Sequence, residues 1–154
     1  MTTATPLPRP GHTLVFVFGT LKQGFPNFAT NRGRRVGGTF RTLERLPLLL
    51  VGQRHVPWLI HSPGLGERVA GEVYEVDAAT LAAMDELEGV SRPDGYQRKA
   101  LRVRGASLDD AVLEVQAYMK RPEQLDESDV QLGPLAEYTL AHAVLYRRRD
   151  GQSY

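Results

Sequence analysis

This sequence has no cysteine and only a small net charge, and each of these features excludes a class of function. With no cysteine among its 154 residues, the chain forms no disulfide, uses no thiolate nucleophile and binds no metal through sulfur. The 19 basic side chains nearly balance 18 acidic ones, so a formal charge of +1 gives no basic field for nucleic acid. Apolar runs fall short of the roughly 18 residues that a membrane-spanning helix requires. We therefore expect neither a nucleic-acid partner nor a membrane partner.

The length and composition indicate one globular domain. A chain of 154 residues can bury a core, and 42% apolar with 24% charged residues is a typical balance. The first twelve residues hold three prolines and lack the apolar core of a signal peptide. We expect a disordered tail over residues 1–12, one domain over 13–150 and a cytoplasmic location. No motif encodes an oligomeric state, and we take the protein to be a monomer.

Short strands dominate the predicted secondary structure. Residues 13–18 are β-branched and aromatic and precede a glycine, which is typical of a buried strand. Residues 55–66 carry glycine and proline breakers and predict an extended connection or a loop. Helices are expected only over 77–88 and 135–149, so the pattern favours an α+β class with a barrel-like sheet. The other expected strands, of which the last two form an antiparallel hairpin, cover 36–43, 46–51, 69–76, 98–104 and 112–120.

The helix over 77–88 places one carboxylate on its apolar face. At about 100° per residue, Glu88 falls between Leu81 and Met84 rather than opposite them. Burial on that face and the negative end of the helix dipole both raise the pKa of a carboxyl group, as a general acid/base near neutral pH requires. The alternative is that the helix frays at its last residue and that Glu88 turns into water.

The strand over 13–18 ends on a Gly-Thr step within the stretch VFVFGTLKQG. One interpretation of this step is a plain exit from the strand. The other is a loop whose backbone N–H groups bind a ligand, because glycine permits close approach and amides beyond a strand end are available as donors. The step alone is compatible with both interpretations.

Four blocks occur in a fixed order along the chain: VFGTLKQG, VPWLIHSPG, VAGEVYEVD and LAAMDELEGVSRPDGYQR. Together they resemble the γ-glutamyl cyclotransferase-like family, and most of all its γ-glutamylamine cyclotransferase branch, over roughly residues 13–120. The resemblance implies a small mixed β-barrel with a few short helices. It also implies release of 5-oxoproline from a small γ-glutamyl substrate by attack of the α-amine on the γ-carbonyl, with no cofactor and no metal.

The resemblance also assigns roles to individual residues. It makes Glu88 the catalytic general acid/base, which takes a proton from the substrate ammonium and passes it to the leaving amine. The residue before the substrate loop is usually tyrosine in the family, whereas this chain has Phe18. The hydroxyl missing there either binds substrate or only supports the fold. The substrate loop itself falls on Gly19, Thr20 and Leu21.

Other candidate residues have a structural role as the alternative to a functional one. Trp58 either lines a substrate pocket or fills the core, and Tyr118 lies where the family often has a tyrosine whose hydroxyl faces the pocket. Asp85 either caps a loop or pairs with Arg98. The four histidines lack metal-ligand spacing. The arginines at 147–149 close the last predicted helix, where cations interact favourably with its dipole.

Two functions of different classes follow from these observations. The first is a cyclotransferase that acts on γ-glutamylamines. The second is a non-catalytic module on the same fold that binds a small acidic ligand. The apolar position of Glu88 favours the enzyme, and Phe18 favours the binding module. The sequence has no readable pattern for the amine half of a substrate.

Overall fold

The computed structural model describes residues 8–105 and 112–148. These residues form helix α1 (Ala78–Leu87), the four-residue helix α2 (Leu140–Ala143) and three short 3₁₀ helices (Phe28–Thr30, Pro122–Gln124 and Glu127–Asp129). No helix in this part of the chain is long and apolar enough to cross a membrane. The strands within the same residues are β1 (Thr13–Val17), β2 (Arg34–Thr42), β3 (Leu48–Val51), β4 (Val56–Leu59), β5 (Ala70–Val76), β6 (Gln97–Gly105), β7 (Val112–Met119) and β8 (Val130–Leu132).

Five of these strands close into a barrel in the order β1-β5-β2-β6-β7. Strand β1 closes the barrel by pairing in parallel with β7, whereas the other neighbouring strands of the barrel are antiparallel. Three further strands form a second sheet in the order β4-β3-β8. The prediction of an α+β fold with a small mixed barrel and a few short helices is confirmed.

The unbroken apolar run of β1 reflects burial on both faces of the strand. Phe16 packs in one core cluster with side chains that include Val73 and Val103. Val15 and Val17 have the opposite orientation in the pleat and pack in a second cluster with Met84 of α1. Since both faces are covered, the strand shows no alternation of apolar and polar residues.

Helix α1 begins and ends where local signals place its boundaries. The Asp77 side chain accepts a hydrogen bond from the Thr80 N–H at 2.8 Å and caps the first turn. Gly89 follows the helix with a φ of 67°, a left-handed conformation that glycine adopts without strain. The helix therefore matches the predicted range 77–88 to within one residue at each end.

The other predicted strands are present, but one predicted connection contains a strand. The hairpin of β6 and β7 is antiparallel as predicted, and most of the loop between them lies outside the described residues. The prediction of an extended connection or a loop over 55–66 is wrong in part, because β4 pairs there with β3. Pro57 is tolerated since β4 is an edge strand of its sheet. Strand β8 has no counterpart among the predicted elements.

The prediction of a helix over 135–149 is wrong for most of its length. Only the four residues of α2 are helical within the described part of this range. The preceding residues Leu135 and Ala136 form backbone hydrogen bonds with strands β3 and β5. Backbone groups that a helix would bond internally are thus bonded to the two sheets, which keeps this segment extended.

Residues beyond α2 are attached to loops of the molecule and do not close a helix. The Arg147 N–H donates to the Arg54 carbonyl at 2.9 Å, and the Arg148 guanidinium donates to the Pro26 carbonyl. The prediction that these arginines interact with a helix dipole is therefore wrong for Arg147 and Arg148. Arg149 lies outside the described residues.

At the other end of the chain, the residues just before β1 are bonded to the barrel. The Arg9 N–H donates to Oε2 of Glu75 at 2.7 Å, and its Nε lies 3.0 Å from Oε1 of the same carboxylate. Residues 1–7 of the expected tail lie outside the described residues. The boundary of the tail at residue 12 and the single domain over 13–150 stay predictions.

Candidate active site

A cavity of about 540 Å³ opens where β1 ends. Its wall is formed by the loop after β1, by β4, by the end of α1 with the turn that follows, and by the end of β7. The structure brings all the predicted site residues together in this wall, although they come from distant parts of the sequence. They are Phe18, Gly19, Thr20, Leu21, Trp58, Glu88 and Tyr118.

The loop after β1 is held in one conformation by two asparagines. Asn27 donates from its backbone N–H to the Thr20 carbonyl at 2.8 Å and from its side chain to the Thr20 hydroxyl at 2.9 Å. Asn31 donates to the Leu21 carbonyl at 3.1 Å. A Cβ atom on Gly19 would lie only 2.9 Å from Cγ of Pro57, so glycine is required there by close packing against β4.

Three backbone donors of this loop are buried at the pocket. The N–H groups of Gly19, Thr20 and Leu21 donate to no acceptor among residues 8–105 and 112–148. All three residues are buried, and buried backbone donors in proteins normally have a hydrogen-bond partner. Successive amides without protein acceptors suit an anionic ligand such as a carboxylate.

Glu88 lies at the end of α1 with both of its backbone groups bonded. Its N–H donates to the Met84 carbonyl and its carbonyl accepts from the Tyr96 N–H, each at 3.0 Å. The residue is half-buried in the pocket wall, so the fraying alternative is wrong. Burial raises the pKa of the Glu88 carboxyl from 4.5 to about 7, against the opposing effect of the Lys120 charge. The predicted rise in pKa through burial is confirmed.

Lys120 is a site residue that the sequence reasoning missed. It follows β7, and only 5% of its surface is exposed. Its Nζ donates to the Asp94 carbonyl at 2.6 Å and lies 4.3 Å from the ring centroid of Trp58 and 4.4 Å from that of Tyr96. The available signal was its position two residues after Tyr118, which places both side chains on one face of the strand.

Tyr118 is oriented by a carboxylate on α1. Its hydroxyl donates to Oδ1 of Asp85 at 2.6 Å, and the Arg98 guanidinium donates to both oxygens of Asp85 at 3.0 and 3.3 Å. The predicted pairing of Asp85 with Arg98 is thus confirmed. Burial, reinforced by Asp85, raises the pKa of Tyr118, so the hydroxyl stays protonated. Because its one proton is directed to Asp85, its oxygen can only accept from a ligand.

Trp58 combines the two roles that the sequence left open. Its half-buried ring lines the pocket and also packs against the small core cluster of Leu49, Val51 and Ile60. The neighbouring Pro57 accepts a hydrogen bond from the Tyr96 hydroxyl at 2.8 Å through its carbonyl. This bond ties the turn after α1 to the strand that carries Trp58.

The rim of the pocket includes residues that have no sequence signal. Tyr146 comes from the segment after α2, and its hydroxyl accepts a hydrogen bond from Asn27 at 3.3 Å. Arg54 lines the same rim from the turn before β4. Over the described residues, no three side chains of histidine, aspartate or glutamate group together as a metal site requires.

The fold is a closed mixed barrel with a ligand-sized pocket at the end of its first strand, and this is the fold that the sequence blocks predict for a γ-glutamyl cyclotransferase-like protein. A family model described as gamma-glutamyl cyclotransferase, AIG2-like, matches residues 15–149. The chain belongs to this family, as the sequence blocks predict.

Individual relatives agree with the family match. A gamma-glutamylaminecyclotransferase of Rattus norvegicus is 47% identical over 95 residues, which are 58% of this chain and 62% of the rat protein. Gamma-glutamylaminecyclotransferase C of Danio rerio is 34% identical over 69% of this chain and 74% of its own length. The crystal structure of an AIG2-like protein from Mus musculus superposes with a TM-score of 0.75 at 30% identity, over 92% of this chain and 99% of the mouse chain. The matched region thus spans about three-fifths of the length of the rat relative.

Proposed function

We propose that this protein is a γ-glutamylamine cyclotransferase, which releases 5-oxoproline and a free amine from a small γ-glutamyl substrate. The observation that carries the proposal is Glu88, a carboxyl group with a pKa of about 7 in the wall of a pocket that also presents three buried backbone donors. A carboxyl with this pKa can both accept and return a proton near neutral pH. The names of the rat and zebrafish relatives support the same substrate class.

The loop after β1 binds the glutamyl half of the substrate in this proposal. Its α-carboxylate, and the oxyanion that develops on the γ-carbonyl, are anions that backbone amides can stabilise. The amides of Gly19, Thr20 and Leu21, which have no acceptor among the described residues, supply such donors from a loop that Asn27 and Asn31 already hold in place. Since the donors are preorganised, they need not reorganise when charge develops during the reaction.

The α-ammonium of the substrate is recognised by two acceptors. Glu88 in its ionised form accepts one proton of the ammonium, and the oxygen of Tyr118 accepts a hydrogen bond because its own proton is directed to Asp85. Loss of the proton to Glu88 converts the ammonium into a nucleophilic amine. A substrate folded with this amine near its own γ-carbonyl then needs no second reactant.

Ring closure and release of the amine complete the reaction. The α-nitrogen forms a bond to the γ-carbon, and the carbonyl electron pair moves to the oxygen to give a tetrahedral intermediate. The proton held by Glu88 is delivered to the nitrogen of the leaving amine as the original γ-amide bond breaks. The ring nitrogen carries two protons after its attack, and it passes one of them to the Glu88 carboxylate as the electron pair of the oxyanion re-forms the carbonyl. The products are 5-oxoproline and a free amine, and Glu88 returns to its ionised form when this second proton leaves for solvent.

We also propose that the protein acts in the cytoplasm as a monomer. Glu88, Tyr118 and the loop over residues 19–21, which the proposed reaction uses, all line one pocket of a single chain, so the scheme does not require a residue from a second copy. Cell fractionation tests the location, and sedimentation at several protein concentrations tests the monomer. A turnover rate per chain that rises with protein concentration, together with a rising sedimentation coefficient, would contradict the monomeric active form.

A second candidate function is a module that binds a γ-glutamyl or other small acidic ligand without turning it over. Phe18 favours it, because the tyrosine hydroxyl that the family usually has before this loop is missing at the pocket. The module would use the amides of the loop in the same way. It differs from the enzyme in leaving the γ-amide bond of a bound ligand intact.

The experiment that separates the two functions is a coupled assay for 5-oxoproline. The panel comprises γ-glutamyl-ε-lysine, γ-glutamyl amino acids and glutathione, which share the glutamyl half and differ in the amine. An N-acetylated γ-glutamyl amine serves as a control, since its nitrogen is not nucleophilic. The proposal predicts product from at least one free compound and none from the acetylated one. Binding of these compounds without product would support the module.

A further inference from the structure

Lys120 is a buried cation in the wall of the pocket that also contains Glu88, the carboxylate that the proposed reaction uses. Its side chain enters the pocket wall from the end of β7, and 5% of the residue surface is exposed. Burying an ammonium costs free energy unless other groups compensate for the lost water. In the reaction proposed above, the substrate carries an ammonium of its own. A second cation would repel that ammonium, so Lys120 does not serve to bind it.

The position of this ammonium is fixed from several directions. The backbone N–H of Lys120 donates to the Leu59 carbonyl at 2.8 Å, and its carbonyl accepts from His61 at 2.9 Å. The Nζ atom lies over the faces of Trp58 and Tyr96, at 4.3 and 4.4 Å from their centroids. Two aromatic faces and defined backbone bonds therefore hold the charge at one place.

The Lys120 charge acts on Glu88 against the effect of burial. Burial favours the neutral carboxyl of Glu88 and raises its pKa, whereas the Lys120 charge favours the carboxylate. Among the described residues, the Glu88 charge also acts on the hydroxyls of Tyr96 and Tyr118, which stay protonated because burial raises the pKa of each. The other charged or titratable side chains in the pocket wall are those of Arg54, Asp94 and Tyr146. Asp85, one turn earlier on α1, is paired with Arg98.

We infer that Lys120 is a positioning residue for the proposed catalytic Glu88: its caged ammonium keeps the carboxylate ionised and fixes the turn that carries it. The inference rests on the proposed function. The two effects have one structural origin, since the same Nζ bonds the Asp94 carbonyl in the turn between Glu88 and Tyr96. Lys120 does not exchange a proton with substrate in this scheme. It sets the pH range in which Glu88 can accept one.

The test replaces Lys120 by methionine, an uncharged and unbranched side chain of similar length that can pack against the rings of Trp58 and Tyr96. Lys120→Arg retains the charge, and Lys120→Gln is a second neutral variant should the methionine variant fold poorly. Lys99→Met is the matched control, because it removes one lysine charge from an exposed position on β6. All variants are compared with the full-length wild type after their melting temperatures have been measured.

The first readout is the titration of Glu88 without substrate. Carbon NMR of protein labelled at the glutamate carboxyl follows the titration, and Glu88→Gln identifies the signal. Loss of a nearby opposite charge should raise the pKa of Glu88 by about 1 or more in Lys120→Met and Lys120→Gln. Lys120→Arg and Lys99→Met should leave the titration close to that of the wild type. An unchanged titration in both neutral variants overturns the inference, whatever happens to stability.

The second readout is the pH profile of 5-oxoproline release. The acidic limb of kcat/KM should move to higher pH with the pKa of Glu88 in Lys120→Met, so the rate at pH 7 falls by about fivefold or more and recovers at higher pH. Damage to the fold alone would lower the rate equally at every pH, which contradicts the inference. A raised pKa in protein that forms no 5-oxoproline from any γ-glutamyl compound supports the coupling but rejects the proposed cyclotransferase function, so the two failures are distinguishable.

Discussion

The backbone carbonyl of Glu88 accepts a hydrogen bond from the backbone N–H of Tyr96 at 3.0 Å. This bond closes the turn between α1 and β6 on itself. The Glu88 side chain and the Tyr96 ring consequently face the same pocket, and the Tyr96 hydroxyl fixes the turn to the Pro57 carbonyl. The position of Glu88, the proposed general acid/base, therefore depends on this turn staying closed. In the proposed scheme the turn acts only by holding Glu88 in place.

Replacing Gly95 in this turn by alanine should disturb the site. A Cβ atom at this position would lie 1.8 Å from the Gly89 carbonyl oxygen, and backbone oxygen cannot move aside without opening the turn. We expect a loss of roughly 1–3 kcal/mol of unfolding free energy, as for other overpacked sites, and a lower kcat. Thermal melting and 5-oxoproline release measure the two effects. Gly38→Ala is the control, because a Cβ there meets no atom within 4 Å; equal melting of both variants would contradict the role of the turn.

Restoring the hydroxyl that Phe18 lacks should strengthen substrate binding. Phe18 lines the pocket with 7% of its surface exposed, so an added hydroxyl would lie at the wall. If it forms a net hydrogen bond to substrate, Phe18→Tyr should improve binding by about 0.5–1.5 kcal/mol, which is a KM lower by roughly 2- to 10-fold. Phe28→Tyr adds the same hydroxyl outside the pocket wall and should leave KM unchanged. A melting temperature that changes in Phe18→Tyr while KM does not would assign the hydroxyl to the fold.

Much of the fold was predictable because the relevant signals are local. The Asp77 cap, the apolar positions of α1 and the left-handed Gly89 define the helix within a dozen residues, and they place Glu88 correctly. Strand β1 was equally predictable from its unbroken apolar run, since its residues are buried on both faces. For these elements the hydrophobic pattern and the tertiary structure require the same residues.

The elements that were missed depend on distant partners. Strand β4 forms despite Pro57 because β3 supplies its ladder, and the segment before α2 is extended because it bonds to β3 and β5. The only local signal for Lys120 was its position two residues after Tyr118, since its burial follows from two aromatic rings contributed by other parts of the chain. No window of local sequence contains these contacts.

Glu75→Gln should weaken the attachment of the residues before β1 in a pH-dependent manner. The backbone N–H of Arg9, together with the Arg9 and Arg34 guanidinium groups, lowers the pKa of the buried Glu75 carboxyl below its usual value. A lowered folded-state pKa contributes stability above the unfolded-state value of about 4.3, which is lost as pH falls through the folded-state pKa. The melting temperature of Glu75→Gln should therefore be below that of the wild type at pH 7, with the difference narrowing towards pH 3.

The control for this comparison is Glu44→Gln, which changes an exposed carboxylate. It should melt close to the wild type at both pH values. A constant difference between Glu75→Gln and the wild type from pH 7 to pH 3 would show that the variant loses packing rather than ion pairing.

Glu88 should have the opposite effect on stability. Its pKa of about 7 in the folded protein exceeds the usual value of 4.5, so the folded state binds more protons than the unfolded state between these values. Stability from this group therefore declines as pH rises from about 4.5 to 7, by up to ~3 kcal/mol. Glu88→Gln removes the ionisation and should equal the wild type near pH 4 but exceed it in melting temperature at pH 8. A wild type that is the more stable protein at pH 8 would contradict the raised pKa.

The central claim is that Glu88 accepts and returns the proton, and the direct test is the pH dependence of 5-oxoproline release by wild type and Glu88→Gln. Wild-type kcat/KM should rise about tenfold per pH unit towards a pKa near 7 and then level off. Glu88→Gln should retain substrate affinity but lose about 10²–10⁴-fold in kcat and show no limb near pH 7. Glu86→Gln, an exposed change on the same helix, should follow the wild type. Equal turnover by Glu88→Gln and wild type across pH 5 to 9 would contradict the account.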